Sequence, residues 1–391
     1  MARLVGVVVV LTLMATACGP GGGIGSEAGP DPVLLDQVTS SPKQDVTSAL
    51  GDPSAAGLPR PLVDPLELRS GGPPPDGIPA IDDPRFQRAG DVGWLEGDEP
   101  VLSFELGGDA RAYPIQIMTW HEIVNDTVGG LPVALSYCPL CNSAIAYDRR
   151  VGERVLDFGT SGLLYRSALV MYDRQTESLW SHFTGQAVAG VLTGEEVGVY
   201  PVATVSWSDF RAAHPDGWVL SRETGFSRDY GRNPYPGYDD VDTSPFLFEG
   251  EVDGRLAAME RVLGIERAGE AVAIRMGPLL EAKVIAVEVG GEQLVVWAKP
   301  GTASALDAPS VAGGRDVGAT GVFHPVVDGR ALTFAAEGAP VVDEQTGSQW
   351  DVLGRAVSGP LAGSQLQAVP HVDTFWFAWA AYLPDSRIIG G

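Results

Sequence analysis

Two cysteines three positions apart, Cys138 and Cys141, are the residues of this chain best suited to chemistry. They sit in the run Tyr137-Cys138-Pro139-Leu140-Cys141 and are the only cysteines beyond residue 18. A histidine, His121, lies upstream in Trp120-His121-Glu122-Ile123-Val124-Asn125-Asp126. A C-x-x-C pair supports three chemistries. One is reversible dithiol–disulfide exchange, in which the close spacing favours intramolecular attack and a neighbouring imidazolium lowers a thiol pKa. The second is a metal site in which His121, Cys138 and Cys141 are ligands, with Met118, Met171 or His182 as a fourth. Zinc takes such Cys/His tetrahedra, and copper(I) favours thiolate and thioether. The third is a structural disulfide in a non-catalytic cell-surface binding module. Closing so short a loop contributes only about 2 kcal/mol in the chain-entropy model, a weak staple. Thiol–disulfide exchange leads among these readings, with metal binding the alternative.

The elements that position these residues follow from pattern. Residues 131–137 form a short apolar run, and Gly129-Gly130 is a two-residue turn signal, so a β-hairpin is expected about that pair. Symmetric pairing about the turn sets His121 opposite Cys138, with Cβ atoms roughly 4.5–5.5 Å apart. Residues 120–124 also read as a helical turn, and a slip of one residue would put the two groups on different faces.

The chain has 391 residues, 50 of them Gly and 30 Pro, which favours short strands and turns over long helices. Its net charge of −24 argues against nucleic-acid binding and against electrostatic adsorption to anionic membranes. Residues 1–17 have the form of a lipoprotein signal peptide: Arg3, an apolar run over 5–14, then Ala15-Thr16-Ala17 before Cys18. Cys18 is the expected lipidation site, which would anchor the protein to the cell membrane on its extracytoplasmic side. The apolar run is too short to span a bilayer, which takes about 20 residues. Residues 18–75 are Gly/Pro-rich at both ends and show no sustained apolar period. A flexible tether is expected there, with at most a transient helix near Val33 and Val38.

Two stretches of the remainder match one another. Val101-Leu102-Ser103-Phe104-Glu105 corresponds to Val262-Leu263-Gly264-Ile265-Glu266, and Gly129-Gly130 to Gly290-Gly291. Asp173, Thr176, Ser178 and Trp180 correspond to Asp343, Thr346, Ser348 and Trp350, and Trp207 to Trp376. The expected fold is mainly β, a β-rich α+β arrangement of two internal pseudo-repeats, 76–255 and 256–391, forming one compact unit. Short helices are expected over 206–214 and 374–382, near the end of each half. What both halves keep reads as fold, and the Asp173 motif reads as a turn. By contrast His121, Cys138, Cys141 and His182 become Ala282, Lys299, Thr302 and Val352, so the candidate chemical groups are lost together from a degenerate second half.

Other candidates read more plainly. Glu122, Asn125 and Asp126 are expected on a solvated hairpin edge, and Arg166 in a surface ion pair. Asp229, Asp239, Asp240 and Asp242 lack a regular calcium-loop spacing. Tyr235 and Tyr238 either cover a pocket or pack between the halves. His214, His324 and His371 lie beside prolines in turns. No G-x-S-x-G, H-E-x-x-H or P-loop pattern occurs.

From Gly77 onwards the chain resembles the bacterial domain-of-unknown-function family 3179. The residues that carry the likeness are Ile78-Pro79-Ala80-Ile81-Asp82, Arg111-Ala112-Tyr113-Pro114, the W-H-E-I-V-N-D run, Y-C-P-L-C, Phe158-Gly159-Thr160-Ser161-Gly162 and the Asp173 motif. The resemblance implies an exported or membrane-attached protein and brings no established activity. It also implies redox chemistry at Cys138 and Cys141, because some similar proteins carry selenocysteine within this motif. His182 departs from the family pattern, which commonly has Gln at that point, and a ligand role for it is thereby weakened.

Overall fold

The computed structural model describes residues 30–336 and 340–390; the leader and Cys18 lie outside them. The chain is mainly β, built from short strands in several small, mostly antiparallel sheets. Each α-helix among the described residues is seven residues long.

The first sheet is built on Pro100–Leu106 paired with Asp109–Pro114, flanked by Ala203–Ser206 and, in parallel, by Trp218–Leu220. Pro114, extended and without a free N–H, leads directly into helix Ile115–His121. That helix stops at Glu122, whose φ of 59° is left-handed. The hairpin Ile123–Val128 with Leu131–Cys138 follows, turning on Gly129 and Gly130 at φ 58° and 79°. A two-residue turn needs both in the left-handed region. A Cβ on Gly129 would also sit 2.3 Å from the Leu106 carbonyl oxygen, so glycine is required there twice over. Ser143–Asp148 then pairs with Leu131–Cys138. A second sheet holds Phe158–Tyr165, Ala168–Asp173, Leu179–Ser181 and Ala187–Ala189.

From Arg261 the same order of elements runs again. Strands Arg261–Arg267 and Glu270–Arg275 lead to helix Met276–Ala282, then to the hairpin of Val284–Val289 with Glu292–Lys299 about Gly290-Gly291. Val372–Phe375, helix Trp376–Tyr382 and Arg387–Ile389 close the chain, the last strand parallel to Glu270–Arg275. The Asp173 turn is as expected: its carboxylate accepts from the Thr176 N–H and hydroxyl, the Ser178 N–H and Trp180 Nε1. Asp343 does the same for Thr346, Ser348 and Trp350. One apolar core joins Cys138, Cys141, Ile145 and Trp180 to Leu306, Phe375 and Phe377.

The described part of the expected tether is packed. Val33–Leu34 is a short strand on Arg85 and Phe86, where a transient helix was expected. Gln37 Nε2 donates to Asp126 at 3.0 Å and the Val38 N–H to Thr127 Oγ1 at 2.9 Å. The Ser41 and Leu62 amides donate to Val155 and Val188. Leu68–Ser70 adds a strand beside Leu163, Leu164 and Tyr165. The segment needs no apolar period of its own, because it lays scattered apolar residues and backbone donors on a surface formed by the first half.

Candidate functional site

Cys138 is the last residue of strand Leu131–Cys138 and pairs with Ser143 on the next strand. Pro139-Leu140-Cys141-Asn142 makes the turn between them, closed by the Asn142 N–H on the Pro139 carbonyl at 3.2 Å, with Asn142 at φ 52°. The turn folds Cys141 back so that its Sγ donates to Cys138 Sγ at 2.7 Å. Both thiols are buried. The turn is held from outside: the Cys141 carbonyl accepts from Thr374 Oγ1 at 2.8 Å and the Phe375 N–H at 3.1 Å. The Tyr238 hydroxyl donates to the Leu140 carbonyl at 2.9 Å.

The two sulfurs have unequal surroundings. Burial raises the Cys138 pKa, but the Cys141 thiol and the backbone N–H groups of Leu169, Cys141 and Leu140 all donate to it, and the balance holds it below the ordinary thiol range. Cys141 goes the other way: burial, its donation to Cys138 and the nearby Cys138 charge raise it well above that range, with the Ser143 hydroxyl opposing. Of the two thiols Cys138 is therefore the more readily ionised, and Cys141 is the one that holds its proton more tightly.

Ser143 links Cys141 to a histidine. Its Oγ lies 2.8 Å from His182 Nε2, while His182 Nδ1 lies 2.9 Å from Ser136 Oγ. Burial lowers the His182 pKa to about 3, so the ring is neutral. The His182 N–H donates to the Leu169 carbonyl at 3.1 Å, so the residue that supplies an N–H to Cys138 also fixes His182. On the far side of Cys141, the Ser167 carbonyl is 4.0 Å from its Sγ. Ser167 also lines an open cavity of about 740 Å³ with Leu164, Arg166 and Phe248.

Residues 75–386 match the family model described as "Protein of unknown function (DUF3179)". The chain belongs to this family. No curated protein and no solved structure matches it.

Within this DUF3179 chain His121 stands apart from the thiols. The hairpin register is as expected, with Val128 opposite Leu131 and Ile123 opposite Ser136. The pairing ends before position 121, because His121 is the last residue of helix Ile115–His121. Both its ring nitrogens are taken, Nδ1 by the Pro79 carbonyl at 2.7 Å and Nε2 by the Tyr230 hydroxyl at 2.6 Å. Burial lowers its pKa to about 4, with the Pro79 carbonyl opposing and Arg228 adding. His121 does not face Cys138, and the three-ligand set of His121, Cys138 and Cys141 is not assembled. Among the described residues no group of three or more His, Cys, Asp and Glu side chains is placed to hold a metal ion.

The acidic run beside His121 is interior, not a solvated edge. Asp126 is fully buried, with both oxygens 2.8 Å from Arg111 Nη1 and the Tyr113 hydroxyl donating at 2.6 Å. Asn125 bonds Asp82 and both backbone groups of Phe158. Glu122 is buried beside Cys138. Asp239 forms ion pairs with Arg261 and Arg315. Arg166 donates to the Ala381 carbonyl and lies against Tyr165 and Tyr382, in place of the expected surface ion pair. Sequence reasoning missed the central place of His182. The signal available was its loss from the second half in step with both cysteines.

Proposed function

We propose that this protein is a lipid-anchored, extracytoplasmic thiol–disulfide exchange protein acting through Cys138 and Cys141. The observation that carries the reading is the unequal thiol pair, with sulfurs 2.7 Å apart and backbone donors gathered on Cys138 alone. In the forward direction the Cys138 thiolate attacks one sulfur of a substrate disulfide and expels the other as a thiolate. Cys141 then attacks Cys138 Sγ in the mixed disulfide, releasing the second substrate thiol and leaving Cys138–Cys141 oxidised. The substrate gains the two electrons that the pair loses. His182 acts through Ser143, holding its hydroxyl on Cys141.

The leader sequence ending at Cys18 supports anchoring outside the cytoplasm, where a disulfide substrate persists. The second half is a degenerate copy of the first, retained as scaffold: it contributes Thr374 and Phe375, which steady the Cys141 turn. The test is equilibration with glutathione buffers of graded potential, followed by alkylation to count thiols. A reversible two-electron midpoint between about −120 and −270 mV is expected, lost in Cys138→Ser and Cys141→Ser. A midpoint below about −300 mV would leave only a structural disulfide.

A further inference from the structure

Exchange needs a substrate sulfur brought against a thiolate, yet Cys138 and Cys141 are 2% and 0% exposed. A wall must move to admit the substrate, and the backbone marks one. Tyr165 pairs with Ala168, so Arg166 and Ser167 form a two-residue hairpin loop, with φ of 51° and 65°. Glycine, asparagine or aspartate ordinarily takes such positions, and the two residues used here resist them. Their side chains hold the loop down. The Arg166 guanidinium donates to the Ala381 carbonyl in the second half, and Ser167 Oγ donates to the Phe246 carbonyl at 2.5 Å. The Phe246 N–H donates in turn to the Tyr238 hydroxyl at 3.2 Å, the same hydroxyl that bonds the Leu140 carbonyl of the thiol turn. The Ser167 carbonyl is 4.0 Å from Cys141 Sγ, and Ser167 also lines the cavity of about 740 Å³. The space bounded by Tyr137, Asn142 and Thr374, beside the same thiol turn, is about 30 Å³, room for little more than water.

We propose that this larger cavity receives the substrate disulfide and that the Arg166–Ser167 turn is the gate between it and the thiols. The proposal rests on the thiol–disulfide reading above. When Ser167 releases Phe246 and its carbonyl swings away from Cys141 Sγ, a sulfur in the cavity meets Cys141, with Cys138 Sγ only 2.7 Å from it. The cavity also selects by charge. Leu164, Phe248 and Val252 supply its apolar surface, while four carboxylates, Glu67, Glu249, Glu251 and Asp253, face two cations, Arg69 and Arg166. Glu249 is paired with Arg69, and Asp253 with Arg255. No ion pair among the described residues takes Glu67 or Glu251, and Arg166 is spent on a carbonyl. The substrate class is therefore a disulfide flanked by neutral or basic groups, and acidic disulfides are disfavoured.

Two readouts on the full chain test this. Iodoacetamide alkylation of the reduced thiols reports access alone, and cystamine, a dicationic disulfide, reports exchange by forming Cys138–Cys141 and two molecules of cysteamine. Ser167→Ala removes the bond to Phe246 and should speed alkylation by about fivefold, the equilibrium worth of one hydrogen bond. Val252 is 39% exposed, so Val252→Trp fills the cavity without entering the core. It should slow both reactions by about tenfold or more, because the indole takes the volume the reagent needs. Val326→Trp, at an exposed position outside the cavity, should change neither. Cystamine should outpace the dianion dithiodipropionate, and Glu251→Gln should cut that preference by about fivefold where Glu153→Gln does not. Alkylation that keeps its rate in Ser167→Ala and Val252→Trp, or that occurs only at the rate of global unfolding, would overturn the gate and the cavity while a normal cystamine reaction left the exchange reading in place. Alkylation that responds as expected, in a protein that forms no Cys138–Cys141 disulfide with cystamine, would overturn the exchange reading and with it the substrate assigned to the cavity.

Discussion

Thr374 Oγ1 lies 2.8 Å from the carbonyl oxygen of Cys141, 233 positions away in sequence. That bond, with the adjacent Phe375 N–H, is how the second half reaches the thiol turn. Thr374→Val keeps the shape and removes the hydroxyl, leaving the Phe375 bond to satisfy the carbonyl. The expected cost is about 1 kcal/mol in urea unfolding, the net worth of one such bond. The turn should also be looser, with Cys141 alkylated faster in the reduced protein. An unchanged alkylation rate would mean that the second half does not steady the site.

His182 makes a pH prediction. Its folded pKa of about 3 lies below the unfolded reference of about 6.5. Between those values the unfolded chain binds a proton that the folded chain does not. Stability should therefore be fully present above about pH 6.5 and fall as pH drops toward 3. His121, lowered to about 4, acts in the same direction. His182→Gln should flatten part of this acid slope and cost about 1 kcal/mol at pH 7. His182→Ala strands the Ser136 and Ser143 hydroxyls and opens a cavity, for about 2–4 kcal/mol. Denaturant midpoints across pH 4–8 in the three proteins check both statements.

Much of this was legible in sequence, and the misses share causes. Gly129-Gly130 gave the hairpin and its register, because only a two-residue turn with both φ positive closes there. The Asp173 and Asp343 turns were legible because their side chains bond within eight residues of chain. His121 was misplaced because periodicity does not say where a strand pairing yields to a helix, and the helix that follows Pro114 begins at Ile115, five residues before the W-H-E run. Glu122, Asn125 and Asp126 read as surface because what surrounds them, including Cys138, Asp82, Phe158, Arg111 and Tyr113, comes from elsewhere in the chain. The packing of 30–75 was invisible for the same reason: its order is borrowed from the surface it covers.

Asp239, near the end of the first half, ties it to the second half. Its carboxylate receives Arg261 at 2.7 Å, Arg315 at 2.8 Å and the Ser304 hydroxyl. Burial raises its pKa, but Arg261, Ser304 and Arg315 together hold it below the usual carboxylate range. The stability it contributes is therefore present above about pH 4 and lost as pH falls through its depressed folded value. Asp239→Asn leaves the half-buried Arg261 without its counter-charge and should cost on the order of 3 kcal/mol at pH 7. The difference from wild type should shrink below pH 4. A constant difference across that range would mean that the ion pairs carry none of the effect.

The N-terminal segment gives the last prediction. Ala49, Leu50, Leu58, Val63 and Leu68 pack on a patch formed by Tyr165, Val170, Tyr172, Leu179 and Val188. The family match begins only at residue 75. A chain starting at Asp76 therefore keeps the family region and loses this cover. If 30–75 were a plain tether, its removal would leave the denaturant midpoint unchanged. The packing implies otherwise. Burying one such apolar side chain contributes about 1.5–3 kcal/mol when complete, and several are half-buried here. The backbone bonds of Ser41, Gln44, Ala49 and Leu62 to the first half go with them. The truncated chain should lose at least about 3 kcal/mol, and an apolar dye should bind the uncovered patch. Restoring 30–75 as a separate peptide should displace the dye, because the apolar contacts and backbone bonds are non-covalent and need no chain link.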